Sequence, residues 1–179
     1  MTLEWRGIRE RLQHQEEGAM DVQVVVTWGG ILGRPARWFG LKWSHAALRY
    51  MRDGSSGARI IESAACGARE RSWEEFVVEA EEYQVLRFRD SLPEVTMREV
   101  VAYAWGNVGK PYNYWWLLKI AWELVKRRLV VGVLTYPAHV CSSLVYDSFL
   151  YAGVNLIPGH EGVLVTPDDV ANSPLLEVE

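Results

Sequence analysis

The run His139-Val140-Cys141-Ser142-Ser143-Leu144-Val145-Tyr146-Asp147-Ser148-Phe149-Leu150-Tyr151-Ala152-Gly153 constrains this chain more than any other. Leu144, Val145, Phe149 and Ala152 recur at helical spacing, Pro137 lies upstream, and Gly153 supplies a left-handed stop. The pattern predicts a helix with a stripe to bury and Cys141 in its first turn. Unpaired N–H groups and the positive end of the macrodipole stabilise a thiolate there, and thiolate is the reactive form of cysteine. A small buried thiol without chemistry is the alternative at this point, because cysteine also serves as a compact hydrophobe.

The rest of the chain must supply a core for that stripe. With 179 residues, 49% hydrophobic and 23% charged, it fits one folded domain over 1–179. The net charge of -4 gives no footing for broad nucleic-acid binding, so no nucleic-acid partner is expected. Cys66 and Cys141 make neither a disulfide framework nor a four-thiolate zinc site. Residues 1–20 set Leu3, Ile8 and Leu12 among charged side chains, which predicts an N-terminal surface helix and no apolar export core. The cytoplasm is then the default location. Nine tryptophans suggest an aromatic groove or a surface that meets lipid, so peripheral membrane contact stays open.

Two segments ahead of the Cys141 helix alternate as strands. Residues 21–27 are valine-rich, and residues 42–51 put Trp43, His45, Ala47, Arg49 and Met51 on one face and Ser44, Ala46, Leu48 and Tyr50 on the other. Asp53-Gly54-Ser55-Ser56-Gly57 connects as a hairpin to residues 59–63, which return antiparallel. His45 and Glu62 thereby fall on neighbouring strands, where a carboxylate can fix the tautomer of an imidazole. A strand histidine bonded to main chain beside a solvated glutamate is the competing account of that pair. Gly29, Gly30, Gly33 and Pro35 open a loop with Trp28, Arg34, Arg37, Trp38, Phe39 and Lys42. Without a Gly-Lys-Ser context it is a turn or a substrate rim rather than a phosphate cradle.

Further on, Ser72-Trp73-Glu74-Glu75 is a capping box that starts a short helix over 73–80, and residues 83–89 alternate into a fourth strand. Thr96-Met97-Arg98-Glu99 reads as a second capping box, opening a helix that buries Val100, Val101, Ala104, Trp105 and Val108 and ends at Gly109. Residues 114–136 form an apolar helical insertion whose polar stripe is Lys119, Glu123, Lys126 and Arg127. Those charges break any uncharged run of about 18 residues, so a bilayer span is not expected. Burial in the domain or docking at a membrane interface would each satisfy it. Residues 163–165 read as a strand, and Thr166-Pro167-Asp168-Asp169 opens a last short helix with threonine as cap. Antiparallel strands with packed helices make α+β the expected class.

The ordered set Trp43-Ser44-His45-Ala46, Ile61-Glu62-Ser63-Ala64, Gly109-Lys110-Pro111-Tyr112-Asn113, Cys141-Ser142-Ser143-Leu144-Val145 and Val165-Thr166-Pro167-Asp168-Asp169 resembles the circularly permuted branch of the NlpC-type papain-like cysteine peptidases. That branch includes YiiX-like hydrolases and lecithin retinol acyltransferase-like proteins. The similarity covers residues 21–176 and implies a permuted papain-like fold, in which the histidine strand precedes the nucleophile helix. It implies Cys141 as nucleophile, His45 as general base and Glu62 as the third polar residue. Tyr112, with Trp43 and Ser142 beside the catalytic residues, is expected at the substrate. The insertion 114–136 is longer than the usual link between the tyrosine motif and the cysteine.

His139 is a second imidazole, but a residue two positions away at a helix start points elsewhere, which favours His45. A zinc site from His45, Glu62, His139 and Cys141 lacks paired-ligand spacing, so no metal and no cofactor are expected. The expected reaction is attack of the Cys141 thiolate on a carbonyl, with helix N–H groups holding the oxyanion and an acyl-enzyme as intermediate. By the resemblance the bond is an amide in a peptide, a cell-wall peptide first. A thiol-dependent lipid acyl hydrolase or acyltransferase, and a non-catalytic binding module on the same fold, are the rivals.

Overall fold

The computed structural model describes residues 20–29, 40–52, 54, 55, 57–112, 140–159 and 165–179. Six strands form one sheet: β1 (Met20–Trp28), β2 (His45–Arg52), β3 (Arg59–Ala64), β4 (Gly67–Ser72), β5 (Glu82–Phe88) and β6 (Leu176–Val178). Their spatial order is β4-β3-β2-β1-β5-β6, and every pairing is antiparallel. The described helices are α1 (Trp73–Val78), α2 (Glu94–Trp105), α3 (Cys141–Tyr151) and α4 (Pro167–Ala171). The α+β class expected from the strand and helix pattern is the one observed.

β1 lies inside the sheet with both faces covered, which suits its valine run. Val22, Val24 and Val26 join Ala46, Leu48 and Ile61 in the main core, against Val100, Val101 and Ala104 of α2 and Leu144, Val145 and Phe149 of α3. Val25 faces the other way, with Ala47, Ile60 and Phe76 of α1. Each fully buried Leu or Phe of this kind contributes about 1.5–3 kcal/mol through apolar burial. The helical stripe anticipated around Cys141 is the one buried, and Gly153 closes α3 with φ 80°.

α1 starts at the expected capping box, with Ser72 Oγ accepting from Glu75 N at 3.2 Å and Glu75 Oε2 accepting from Ser72 N at 3.0 Å. The second box is a correction. α2 begins at Glu94 behind Pro93, so Thr96 lies inside the helix rather than capping it, and the Glu94–Arg98 ion pair supports the added turn. α2 also ends at Trp105, and Trp105 and Val108 are exposed at 41% and 36% instead of buried. Met20 belongs to β1 rather than to an N-terminal helix. β4 and β6 are strands that the alternation pattern did not announce, and Val165 lies in no strand. The expected helix over the first residues, the loop at 30–39, the insertion 114–136, His139 and residues 163–164 lie outside the described residues.

Gly67 lets β3 turn into β4. Its φ is 107°, and a Cβ there would lie 2.6 Å from Lys110 O. Lys110 O instead accepts from Ala68 N at 2.8 Å, while Gly109 N donates to Ala68 O at 2.8 Å. The segment leading to Tyr112, itself buried, is thus pinned beside the start of β4.

Candidate active site

Cys141 is the first residue of α3, behind an N-cap with no oxygen to offer. Val140 occupies that position, so no side chain consumes the first-turn N–H groups, at a cost of about 0.5–2 kcal/mol in helix stability. The main-chain amides of Ser142 and of Ala46 in β2 instead favour the Cys141 thiolate. Ser143 reaches back to accept Val140 N–H at 3.0 Å. Ser142 Oγ is committed elsewhere, donating to Val165 O at 2.7 Å. What Ser142 can give to chemistry is its N–H.

His45 stands at the head of β2, and the residues before it are tied down. Asp168, in the first turn of α4, accepts Lys42 N at 2.9 Å and Trp43 N at 2.7 Å, one carboxylate oxygen to each. Ser44 Oγ donates to the main chain of Thr27 and Gly29, at 3.2 Å in each case. Trp43 is buried, with Lys42 Nζ 4.9 Å above its ring. The closing Thr166-Pro167-Asp168-Asp169 motif therefore fixes the entry to the histidine strand.

The β2–β3 ladder runs from Tyr50↔Arg59 to Leu48↔Ile61 and stops. Continuing that register makes Glu62 the diagonal neighbour of His45, a spacing that long side chains bridge. His45 Nε2 and Glu62 Oε2 are 2.6 Å apart. Alternation places both on the face of Ala47 and Ile60, which α1 covers, while α3 packs on the opposite face. Helix and histidine meet at the open end of the ladder, where the His45 ring and the Cys141 thiol are near enough to shift each other's titration. Glu62 holds Nε2, which leaves Nδ1 for the sulfur.

The buried Glu62 would be costly alone, because desolvating a carboxylate takes several kcal/mol. Two guanidiniums compensate. Arg69 Nη2 and Arg71 Nε each lie 2.8 Å from Glu62 Oε1, and Arg69 Nε donates to the same oxygen at 2.9 Å. Burial pushes the Glu62 pKa up, but His45, Arg71 and Arg69 bring it down to about 2. Burial opposes charge on His45, yet its bonds to Cys141 and Glu62 more than offset that and raise its pKa to about 10. For Cys141 burial again favours the neutral form, and the His45 hydrogen bond and charge, with the Ala46 and Ser142 amides, pull the thiol below its ordinary value. These directions favour charge on all three groups, thiolate, imidazolium and carboxylate.

The structure thus brings Cys141, His45 and Glu62 together, with His45 bonded to Glu62 and adjacent to Cys141. Arg69 and Arg71 are absent from the residues singled out from sequence, and Asp168 figures there only in a helix opening and motif, not as a group that holds the histidine strand. The signal for the arginines was their i, i+2 spacing opposite a strand glutamate, legible only once residues 67–72 are taken as a strand. Cys66, the other free cysteine, is exposed.

Residues 40–174 match the model of a family described as permuted papain-like amidase enzymes, YaeF/YiiX, C92. Among solved structures, the chain is similar to the crystal structure of the metalloprotein yiiX from Escherichia coli O157:H7. The TM-score is 0.66 and the identity 13%, over 92% of this chain and 97% of that one. At that identity the likeness bears on the fold. No curated protein matches the chain. The YiiX-like, permuted papain-like resemblance read from the order of motifs agrees with both findings.

Proposed function

Because the chain belongs to the permuted papain-like amidase family and is a cysteine-type amidase, we propose that Cys141 is its nucleophile, His45 its proton carrier and Glu62 the group that orients His45. The observation that carries this assignment is the 2.6 Å contact of His45 Nε2 with Glu62 Oε2, together with His45 and Cys141 lying near enough to shift each other's titration. The thiolate attacks the amide carbonyl, and the oxyanion forms beside the first-turn N–H groups of α3. Imidazolium gives its proton to the leaving amine as the C–N bond breaks, leaving an acyl group on Cys141. Neutral His45 then takes a proton from a water that attacks the acyl carbon; the C–S bond breaks, the acid leaves, and the Cys141 thiolate and His45 imidazolium are restored. Glu62 holds the ring in one tautomer and stabilises each imidazolium.

For substrate we favour a peptide amide in cell-wall material. Two residues before His45, Trp43 lines a cavity of about 560 Å³ with Lys42, Arg49, Trp73, Tyr83 and Glu82, a lining that does not include Cys141, His45 or Glu62, so it would hold a part of the substrate away from the scissile bond. Aromatic walls with charges of both signs suit a short peptide carrying free carboxylates and amines, which is the chemistry of a stem peptide. Tyr112 is taken as a further wall near the nucleophile.

The Escherichia coli relative is called a metalloprotein, and the donor set here does not fit a cation. Both oxygens of Glu62 are engaged by His45 and the two arginines, and among the described residues no group of three His, Cys, Asp or Glu is arranged to hold a metal ion. No step is derived through one.

The test is digestion of purified stem peptides followed by mass spectrometry, with Cys141→Ala as blank. A new amine and a new carboxylate that appear only with the intact thiol support the assignment. Release of fatty acid from lipid esters with no amide cleaved would replace it with the lipid reading.

A further inference from the structure

The two oxygens of Glu62 have separate partners. Oε2 meets His45 at 2.6 Å, whereas Oε1 is ion-paired with Arg69 Nη2 and Arg71 Nε, each at 2.8 Å, and accepts from Arg69 Nε at 2.9 Å. A carboxylate is planar and turns about its last bond, so fixing one oxygen fixes the aim of the other. Arg69 is directly opposite Glu62 in the β3–β4 register, and Arg71 is the diagonal neighbour. Arg71 is the more enclosed, its side chain 11% exposed against 38% for Arg69. It is also held at its far end. Its Nη1 lies 2.7 Å from Glu79 Oε2 and donates to Glu75 O at 3.3 Å, and its Cζ stands 4.9 Å from the Phe76 ring centroid. Phe76 packs in turn toward His45, with ring centroids 6.2 Å apart.

We propose that Arg71, assisted by Arg69, is a positioning residue for catalysis: it anchors Glu62 Oε1 to α1 so that Oε2 stays on His45 and His45 stays on Cys141. The inference rests on the assignment of Cys141, His45 and Glu62 made above. It explains why a strand of low apolar content, β4, runs along the sheet edge beside the site, and why α1 is docked there. Two guanidiniums against the carboxylates of Glu62 and Glu79 leave the cluster balanced, so the cations support the carboxylate without expelling the charge from the neighbouring imidazolium. A buried ion pair that serves stability alone would have no need of the one-oxygen division.

The experiment measures the alkylation rate of Cys141 by iodoacetamide against pH in a Cys66→Ala background, alongside thermal melting. The variants are Arg71→Gln, Arg71→Lys and Glu79→Gln. The unmodified site should label with an acid limb well below that of a free thiol. Arg71→Gln should move that limb up by about one pH unit or more, because Glu62 then loses an adjacent cation and takes up its proton earlier. Arg71→Lys should recover most of the shift, and Glu79→Gln, at an exposed position, should give a smaller shift of the same sign. If Arg71→Gln does not fold, the lysine and Glu79 variants carry the test. Profiles that superimpose on the unmodified one while melting temperatures fall would overturn the positioning role and leave a structural ion pair. An unmodified Cys141 that titrates as an ordinary thiol would overturn the underlying assignment, and with it this inference.

Discussion

His45 Nε2 lies 2.6 Å from Glu62 Oε2, and that one contact joins a strand entry to a carboxylate buried under α1. It decides which ring nitrogen is left for Cys141, and so it sets the direction in which a proton can move.

Glu62→Gln keeps the shape and removes the charge. The amide can still bond to the ring, but it cannot stabilise imidazolium, and it leaves Arg69 and Arg71 facing a neutral group. The expected result is a fall in kcat of roughly 10²–10⁴-fold. Losing the charged partner of two half-buried cations should also lower stability, by less than the ~3–5 kcal/mol of a fully buried pair. Steady-state kinetics and denaturant titration separate the two effects, and unchanged kcat would remove Glu62 from the mechanism.

Stability should depend on pH in two windows. His45 is raised from 6.5 to about 10 in the folded chain, so its contribution is fully present below pH 6.5 and is lost as pH rises through about 10. Glu62 is lowered from 4.5 to about 2, so its contribution is present above pH 4.5 and is lost as pH falls through about 2. The two groups and Cys141 titrate as a coupled set, so melting curves report their joint behaviour. Glu62→Gln should flatten the acid window, and a melting profile identical to the parent below pH 4.5 would count against the buried carboxylate.

Ser142→Ala distinguishes a hydroxyl from a main-chain amide. The Ser142 hydroxyl is spent on Val165 O, so its loss should cost about 1 kcal/mol of stability and change kcat little. A large drop in kcat with stability intact would mean that the hydroxyl contacts substrate.

Much of the site was legible because its chemistry uses short-range rules. A cysteine at a helix start, and a histidine and a glutamate on two strands joined by a hairpin, can be placed from periodicity and turn residues, while joining them as one catalytic set took the resemblance of the ordered motifs. Arg69 and Arg71 were not legible, because Gly67-Ala68-Arg69-Glu70-Arg71-Ser72 has no large apolar side chain to mark it as a strand. Its pairing with β3 is tertiary information. Thr96-Met97-Arg98-Glu99 misled for the opposite reason: the spacing of a capping box also arises inside a helix, and here Pro93 had already supplied the start. Asp168 was seen as part of a helix opening, but its bonds to Lys42 and Trp43 join residues 126 and 125 positions apart in sequence, which no local pattern announces.

The central claim is that Cys141 rests as a thiolate paired with His45. It is tested most directly by difference ultraviolet absorption in the thiolate band, comparing Cys66→Ala with Cys66→Ala/Cys141→Ala so that the aromatic background cancels. The account predicts a thiolate signal throughout neutral pH that disappears only in acid and is weakened by His45→Ala. A signal that emerges only near the ordinary cysteine value of about 8.5 would contradict it.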